Sequence, residues 1–136
     1  MKYLLLIISL SLFISCTDDD SNNTPPELIG SWKLVEVCYS THGESCTWTI
    51  VSEANSHIYN YYTNGVVTQD LYSPNCEGTF SVISGNILKV NFPCNNLSLC
   101  WKVNSITNTN LNLDCVIIDG CDNTPIESCA YKYERI

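Results

Sequence analysis

From Gly30 onward the chain is written in short runs of alternating or β-branched apolar residues, separated by clusters of Asn, Gly, Ser, Thr and Pro. No window keeps a helical period for more than a turn or two, so the chain reads as nearly all β. The alternation predicts eight strands, over 31–39, 57–63, 66–72, 78–83, 87–92, 99–106, 111–117 and 129–136. The stretch 41–55 is a longer connection in which 48–51 forms a brief extended piece. Asn64-Gly65 marks a hairpin, because a type I′ turn needs positive φ at both central residues and these two tolerate it best. Ser84-Gly85-Asn86 repeats the device, and 107–110 joins the next pair.

Eight antiparallel strands in sequence order can close on themselves and so remove both exposed edges. The expected fold is therefore all-β, an eight-stranded antiparallel up-and-down barrel, with a β-sandwich as the alternative. Trp32, Trp48 and Trp101 do not show the Cys-Trp-Cys spacing of an immunoglobulin sandwich. With Trp32 pointing inward, alternation places Leu34, Tyr59, Tyr61, Phe80 and Val82 inside with it. The same counting adds Leu88, Val90, Trp101, Val103, Leu111, Leu113, Tyr131 and Tyr133. Such a set either fills a packed core or lines a cup for a ligand. The hydroxyls of Tyr59, Tyr61, Tyr131 and Tyr133 each need a partner when buried, and a wet mouth with a bound ligand would supply one.

The first residues differ from the rest. Met1-Lys2 is followed by an apolar run over 3–14 and then Ser15-Cys16, the layout of a signal peptide. This run of 12 residues falls short of the roughly 18 that a spanning helix needs. Phe13-Ile14-Ser15-Cys16 resembles a bacterial lipobox, with Phe where Leu is usual. That resemblance implies removal of 1–15 and lipidation of Cys16. The alternatives are an ordinary secretory peptide cut elsewhere, or a buried core segment. Several acyl chains on one residue would anchor the chain without spanning the bilayer. Residues 16–27 hold no large apolar side chain and read as a disordered tether, leaving 28–136 as one modest domain.

Setting Cys16 aside leaves an even set: Cys38, Cys46, Cys76, Cys94, Cys100, Cys115, Cys121 and Cys129. Eight thiols in an oxidising compartment suggest four disulfides, which suits a domain with a thin core. Eight cysteines allow 105 connectivities. Short-range closure favours Cys94 with Cys100, and Cys38 with Cys46 across the loop after the first strand. The other four stay unresolved. A metal site is the competing reading, but no two cysteines stand at CxxC spacing, and His42 and His57 belong to no ligand cluster.

Charge narrows the partners. The full chain carries a formal −8, and loss of Lys2 with the leader leaves five Lys/Arg against 14 Asp/Glu, a formal −9. Nucleic acid and anionic headgroups are not expected partners. Asp18-Asp19-Asp20 lies just after Cys16 and resembles the acidic export signal of Bacteroidota lipoproteins. That resemblance implies an outer-membrane, cell-surface location, with the periplasmic face as the alternative.

Leu28-Ile29-Gly30-Ser31-Trp32-Lys33-Leu34-Val35-Glu36-Val37 resembles the opening strand of lipocalin-like domains in small Bacteroidota lipoproteins, the calycin-like Gly-x-Trp pattern. Tyr59-Asn60-Tyr61-Tyr62-Thr63-Asn64-Gly65, Gly78-Thr79-Phe80-Ser81-Val82 with Gly85-Asn86-Ile87-Leu88, and the closing Tyr131-Lys132-Tyr133-Glu134-Arg135-Ile136 fit in order. The resemblance implies that Arg135 on the last strand packs across Trp32 on the first and closes the barrel. It covers 28–136, but the domain is short for the family, lacks the long C-terminal helix, and carries cysteines outside the family pattern.

No nucleophile elbow, phosphate-cradling glycine loop or zinc motif is present. His42 falls in a turn by composition, and Asp114, Asp119 and Asp122 lack the alternating ligands of a calcium loop. The expectation is a non-enzymatic, lipid-anchored protein without cofactor or metal. It would bind a small apolar or amphipathic ligand at the barrel mouth, with Trp32, Tyr59, Tyr61, Phe80, Trp101, Tyr131 and Tyr133 as candidate lining or core residues. The alternative is a surface module for protein or glycan contact, or a structural one, built on a packed, ligand-free barrel. Its binding loops would be 41–55 and 116–128.

Overall fold

The structure is a computed structural model and describes residues 24–40, 46–70, 76–116, 118–122 and 128–136. Cys16, the signal segment, most of the tether, His42, and the predicted strand ends at 71–72 and 117 lie outside the described residues. Nine strands are described: β1 (Gly30–Ser40), β2 (Thr47–Ile50), β3 (Ile58–Tyr61), β4 (Val66–Gln69), β5 (Glu77–Ile83), β6 (Ile87–Phe92), β7 (Leu97–Ile106), β8 (Asn110–Cys115) and β9 (Ser128–Arg135). β1 and β3 to β9 pair antiparallel in sequence order, and β9 returns to β1 from Trp32↔Arg135 to Ser40↔Ser128. The result is a closed eight-stranded antiparallel barrel with one extra strand.

That extra strand is β2, which grows out of the extended piece expected inside the first long connection. β3 pairs with Gly30 to Lys33 of β1, and β2 with Glu36 to Tyr39. Both strands therefore lie along one side of β1, one beyond the other. Between them sits a β-bulge, where the β1–β9 register shifts between Leu34 and Glu36. An extra residue at a bulge reverses which side chains face inward. Trp32 and Leu34 point in before it, and the inward set resumes at Val37.

Turn chemistry differs from expectation at one hairpin. Gly65 has φ +78° but Asn64 is not among the positive-φ residues, so this is not a type I′ turn. Gly65 N–H donates to Tyr62 O and Tyr62 N–H to Val66 O, the pattern of a type I turn followed by a left-handed glycine. The two-residue positive-φ device occurs instead at Gly85 (φ +80°) and Asn86 (φ +60°). Asn96, at φ +50°, closes a 3₁₀ turn (Pro93–Asn95) and lets β7 begin at Leu97, earlier than the alternation predicts.

The disulfides pair Cys38–Cys46, Cys76–Cys94, Cys100–Cys121 and Cys115–Cys129, with Cα atoms 5.3 to 6.0 Å apart. The expected Cys94–Cys100 bridge does not form. Phe92 pairs with Leu97, and Cys100 lies three rungs further down opposite Lys89. Three rungs are about 10 Å of strand, beyond a disulfide's usual reach of about 7 Å between Cα atoms. Cys100 also faces outward, where the β8–β9 connection crosses it. There Cys121 bonds to it, and Asp122 accepts from Ser98 N–H at 2.6 Å.

Candidate functional site

The two ends of the barrel differ. The hairpin turns at 62–65, 84–86 and 107–109 gather at one end with the 3₁₀ turn Pro26–Leu28, which we call the base. Trp32 is fully buried there and donates from Nε1 to Leu28 O at 2.8 Å. The Arg135 guanidinium lies 4.4 Å above the Trp32 ring, a cation–π arrangement, and donates to Ile29 O at 2.7 Å and to Glu27 O. A Cβ on Gly30 would collide with that guanidinium, and its φ of +140° is one that L side chains rarely adopt. Glycine is thus required by the closure, which explains the Gly-x-Trp order in physical terms.

All four disulfides stand at or lead toward the other end, the rim. They bind β1 to its following loop, β5 to the turn after β6, β7 to the β8–β9 connection, and β8 to β9. Between base and rim the interior is occupied by side chains. Trp32, Tyr59, Tyr61, Phe80, Trp101 and Tyr133 are each no more than 6% exposed. Tyr61 meets Phe80 edge-on at 5.0 Å between centroids, and Tyr59 contacts Trp101 and Tyr133 at 6.0 Å each. Among the seven candidate aromatics, Tyr131 alone is only partly buried.

Tyr131 lines an open groove of about 610 Å³ at the rim. Leu34, Val37, Tyr39, Ile50 and Val51 supply its apolar lining, and Thr49, Ser52, Asn55 and His57 its polar margin. β1, β2 and β9 run beyond the level of β3 to form a flap, and the groove lies against the flap's inner face. Alternation counted from Trp32 turns Val37 and Tyr39 outward, and only the bulge brings them to this side. A β-bulge has no sequence signature here, so the groove was not legible in the sequence.

His57 stands at the groove floor. Its Nε2 is 3.3 Å from Tyr133 Oη, and its ring meets Tyr59 edge-on at 5.3 Å. Burial pushes its pKa below the usual 6.5, and the carboxylate of Asp70 opposes that shift. Burial also holds the Tyr133 phenol well above its ordinary value, reinforced by Tyr59, Tyr61 and Tyr131. A neutral imidazole and neutral phenols make this floor a hydrogen-bonding surface without net charge. Deeper in, Tyr61 Oη and Gln69 Oε1 are buried without a hydrogen-bond partner. Gln69 is buried because β4 alternates Val67 and Gln69 inward.

Two smaller grooves lie elsewhere, at Pro26, Glu27, Asn108 and Arg135 on the base, and on the outer wall around Phe80 and Lys89. Among the described residues no group of three or more His, Cys, Asp or Glu could hold a metal ion. The chain matches no protein-family model, no curated protein and no solved structure.

Proposed function

We propose that this protein is a lipid-anchored, non-enzymatic binding module of the bacterial outer membrane, attached through Cys16 and related to lipocalin-like lipoproteins. It takes a small apolar or amphipathic molecule at the rim groove. The groove carries this reading: about 610 Å³ lies within the range of small-molecule sites, with an apolar lining and a few polar groups. The ligand does not descend into the barrel, since aromatic side chains occupy the interior. Its apolar part rests on Val37, Tyr39 and Tyr131, and its polar end meets His57, Ser52 or Asn55.

Titration of the mature protein with 1-aminoanthracene and with lauric acid tests this reading. Saturable binding that Val37→Asp weakens at least tenfold supports it, and absence of saturable binding to either rejects it. The anchor has its own test. The intact mass of the mature protein should equal a chain beginning at Cys16 plus its acyl groups, and Cys16→Ser should release the protein from membranes. Digestion of intact cells by added protease distinguishes surface display from the periplasmic face.

A second reading is favoured by the packed interior. A solid barrel with a stapled rim is a rigid scaffold for loops that contact a protein or glycan. Failure of both small probes alongside retained binding to a surface extract would point to it.

A further inference from the structure

The rim groove has no formal charge of its own. Among the described residues that line it there is no Lys, Arg, Asp or Glu. Of the six Lys and Arg in the chain, Lys2 lies in the leader and the other five are all committed elsewhere. Lys33 faces outward before the bulge and is held by Glu53 at 2.7 Å, while Lys132 is paired with Glu36 at 2.8 Å and lies over Trp48. Arg135 is at the base, and Lys89 and Lys102 stand on β6 and β7, neither of which lines the groove. Within the domain, the stretches outside the described residues, 41–45, 71–75, 117 and 123–127, contain no Lys or Arg. Their only formal charges are those of Glu44 and Glu127, both negative. No basic side chain is therefore available to pair with an anion in the groove.

The polar margin is neutral and already positioned. Val51 N–H donates to Val35 O at 2.8 Å, Ser56 Oγ to Leu34 O at 2.6 Å and Leu34 N–H to His57 O at 3.0 Å. These bonds pin the 3₁₀ turn Glu53–Asn55 to β1 at the bulge. Ser52 O accepts from the N–H groups of Asn55 and Ser56 at 2.9 Å each, which fixes Ser52 and Asn55 relative to each other. The Ser52 hydroxyl caps nothing, and it, the Asn55 side-chain amide and His57 Nδ1 have no hydrogen-bond partner among the described residues. Burial favours the neutral form of His57. When its Nε2 accepts the Tyr133 phenol proton, Nδ1 donates, and when Nε2 donates, Nδ1 accepts. A hydroxyl, both donor and acceptor, suits either tautomer. A carboxylate suits one, and its charge beside apolar side chains would go unbalanced at a high desolvation cost.

We propose that the rim groove selects uncharged amphiphiles whose polar end is a hydroxyl, and discriminates against fatty-acid anions and quaternary ammonium amphiphiles with the same tail. The proposal rests on the reading of the groove as a small-molecule site and names the chemical class that site takes. The tail lies on Val37, Tyr39 and Tyr131, and the hydroxyl exchanges hydrogen bonds with Ser52, Asn55 and His57 Nδ1. Selectivity of this kind comes from what the site lacks as much as from what it offers, since a charged head loses its water and gains no counter-charge. A cation is no better served than an anion. No carboxylate is among the described lining residues, and that of Asp70, near His57, already accepts Ile58 N–H at 2.7 Å. A quaternary ammonium also donates no hydrogen bond to the three margin groups.

The test titrates the mature protein at pH 8 with 1-decanol, decanoate and decyltrimethylammonium, following the amide signals of Val37, Asn55 and Tyr131. At that pH decanoate is ionised and His57 is neutral. 1-Decanol should bind saturably and at least tenfold more tightly than either charged ligand. Ser52→Ala combined with Asn55→Ala should weaken 1-decanol at least fivefold. Asn55→Lys, at an exposed position, should raise the affinity for decanoate at least tenfold by supplying the missing counter-charge. The remaining amide signals report whether each variant is folded. A charged ligand binding within tenfold of 1-decanol, less than a fivefold loss in the double variant, or less than a tenfold gain for decanoate in Asn55→Lys would overturn the proposal. If 1-aminoanthracene binds saturably and 1-decanol does not, the proposal falls and the groove remains a small-molecule site. If 1-aminoanthracene and lauric acid fail as well, the groove reading falls with it.

Discussion

Arg135 does several things with one side chain. It covers the Trp32 ring and satisfies the carbonyls of Ile29 and Glu27, where the chain enters the barrel. A partly desolvated cation–π contact is worth about 0.5–2 kcal/mol, and hydrogen bonds from a charged donor about 1.5–3 each. Arg135→Ala should lower stability by roughly 2–4 kcal/mol, and a thermal midpoint unchanged from the native protein would reject the closure role. His57 carries a different prediction. Burial lowers its folded pKa below 6.5, so the unfolded chain binds the proton more tightly. The stability contributed by neutral His57 is complete above about pH 6.5 and is lost as pH falls from there through the lower folded value. Denaturant midpoints from pH 7.5 to 5.5 should decline in the native protein and decline less in His57→Gln. Parallel curves would remove His57 as the cause.

At the scale of elements, the flap and the staples can be separated. Cys38–Cys46 closes a short loop and holds β2 to β1, whereas Cys100–Cys121 spans 21 residues and straps the β8–β9 connection across β7. Replacing Cys38 and Cys46 by Ser should release β2 locally, with faster amide exchange at Thr49 and Val51 and little change in the β5–β6 amides. Replacing Cys100 and Cys121 should cost about 2–4 kcal/mol of global stability. If exchange accelerates equally throughout the barrel after loss of Cys38–Cys46, the flap is not an independent unit. These elements were unequally legible. Alternation in Phe80 and Val82, then Leu88, Val90 and Phe92, places β5 and β6 directly, because both are regular and half-buried. β2 was visible only as an extended fragment, since none of its residues is buried and it shows no inward periodicity. Cys94–Cys100 looked plausible by separation, but hairpin register, which sequence order does not carry, sets the distance. The candidate aromatics were legible as interior residues, while the groove depended on one bulge.

For the whole molecule, base and rim have opposite relations to the membrane under the lipid-anchor proposal. The described chain begins at Thr24, next to the 3₁₀ turn that seals the base, and the disulfides gather toward the far end. Cys16 precedes Thr24 by eight residues, a reach of at most about 28 Å at some 3.5 Å per residue. Under that proposal a tether that short, joined to the base at Thr24, would hold the base toward the bilayer and turn the groove outward. Binding surfaces on a displayed protein would then meet partners without crossing the headgroup layer. The expected outcome can be measured in vesicles carrying the lipidated protein and a nitroxide-labelled phospholipid. A fluorophore placed at exposed Asn108 on the base should be quenched more strongly than one at exposed Asn95 on the rim. Cys16→Ser should abolish quenching at both positions, and stronger quenching at Asn95 than at Asn108 would mean that the rim faces the membrane.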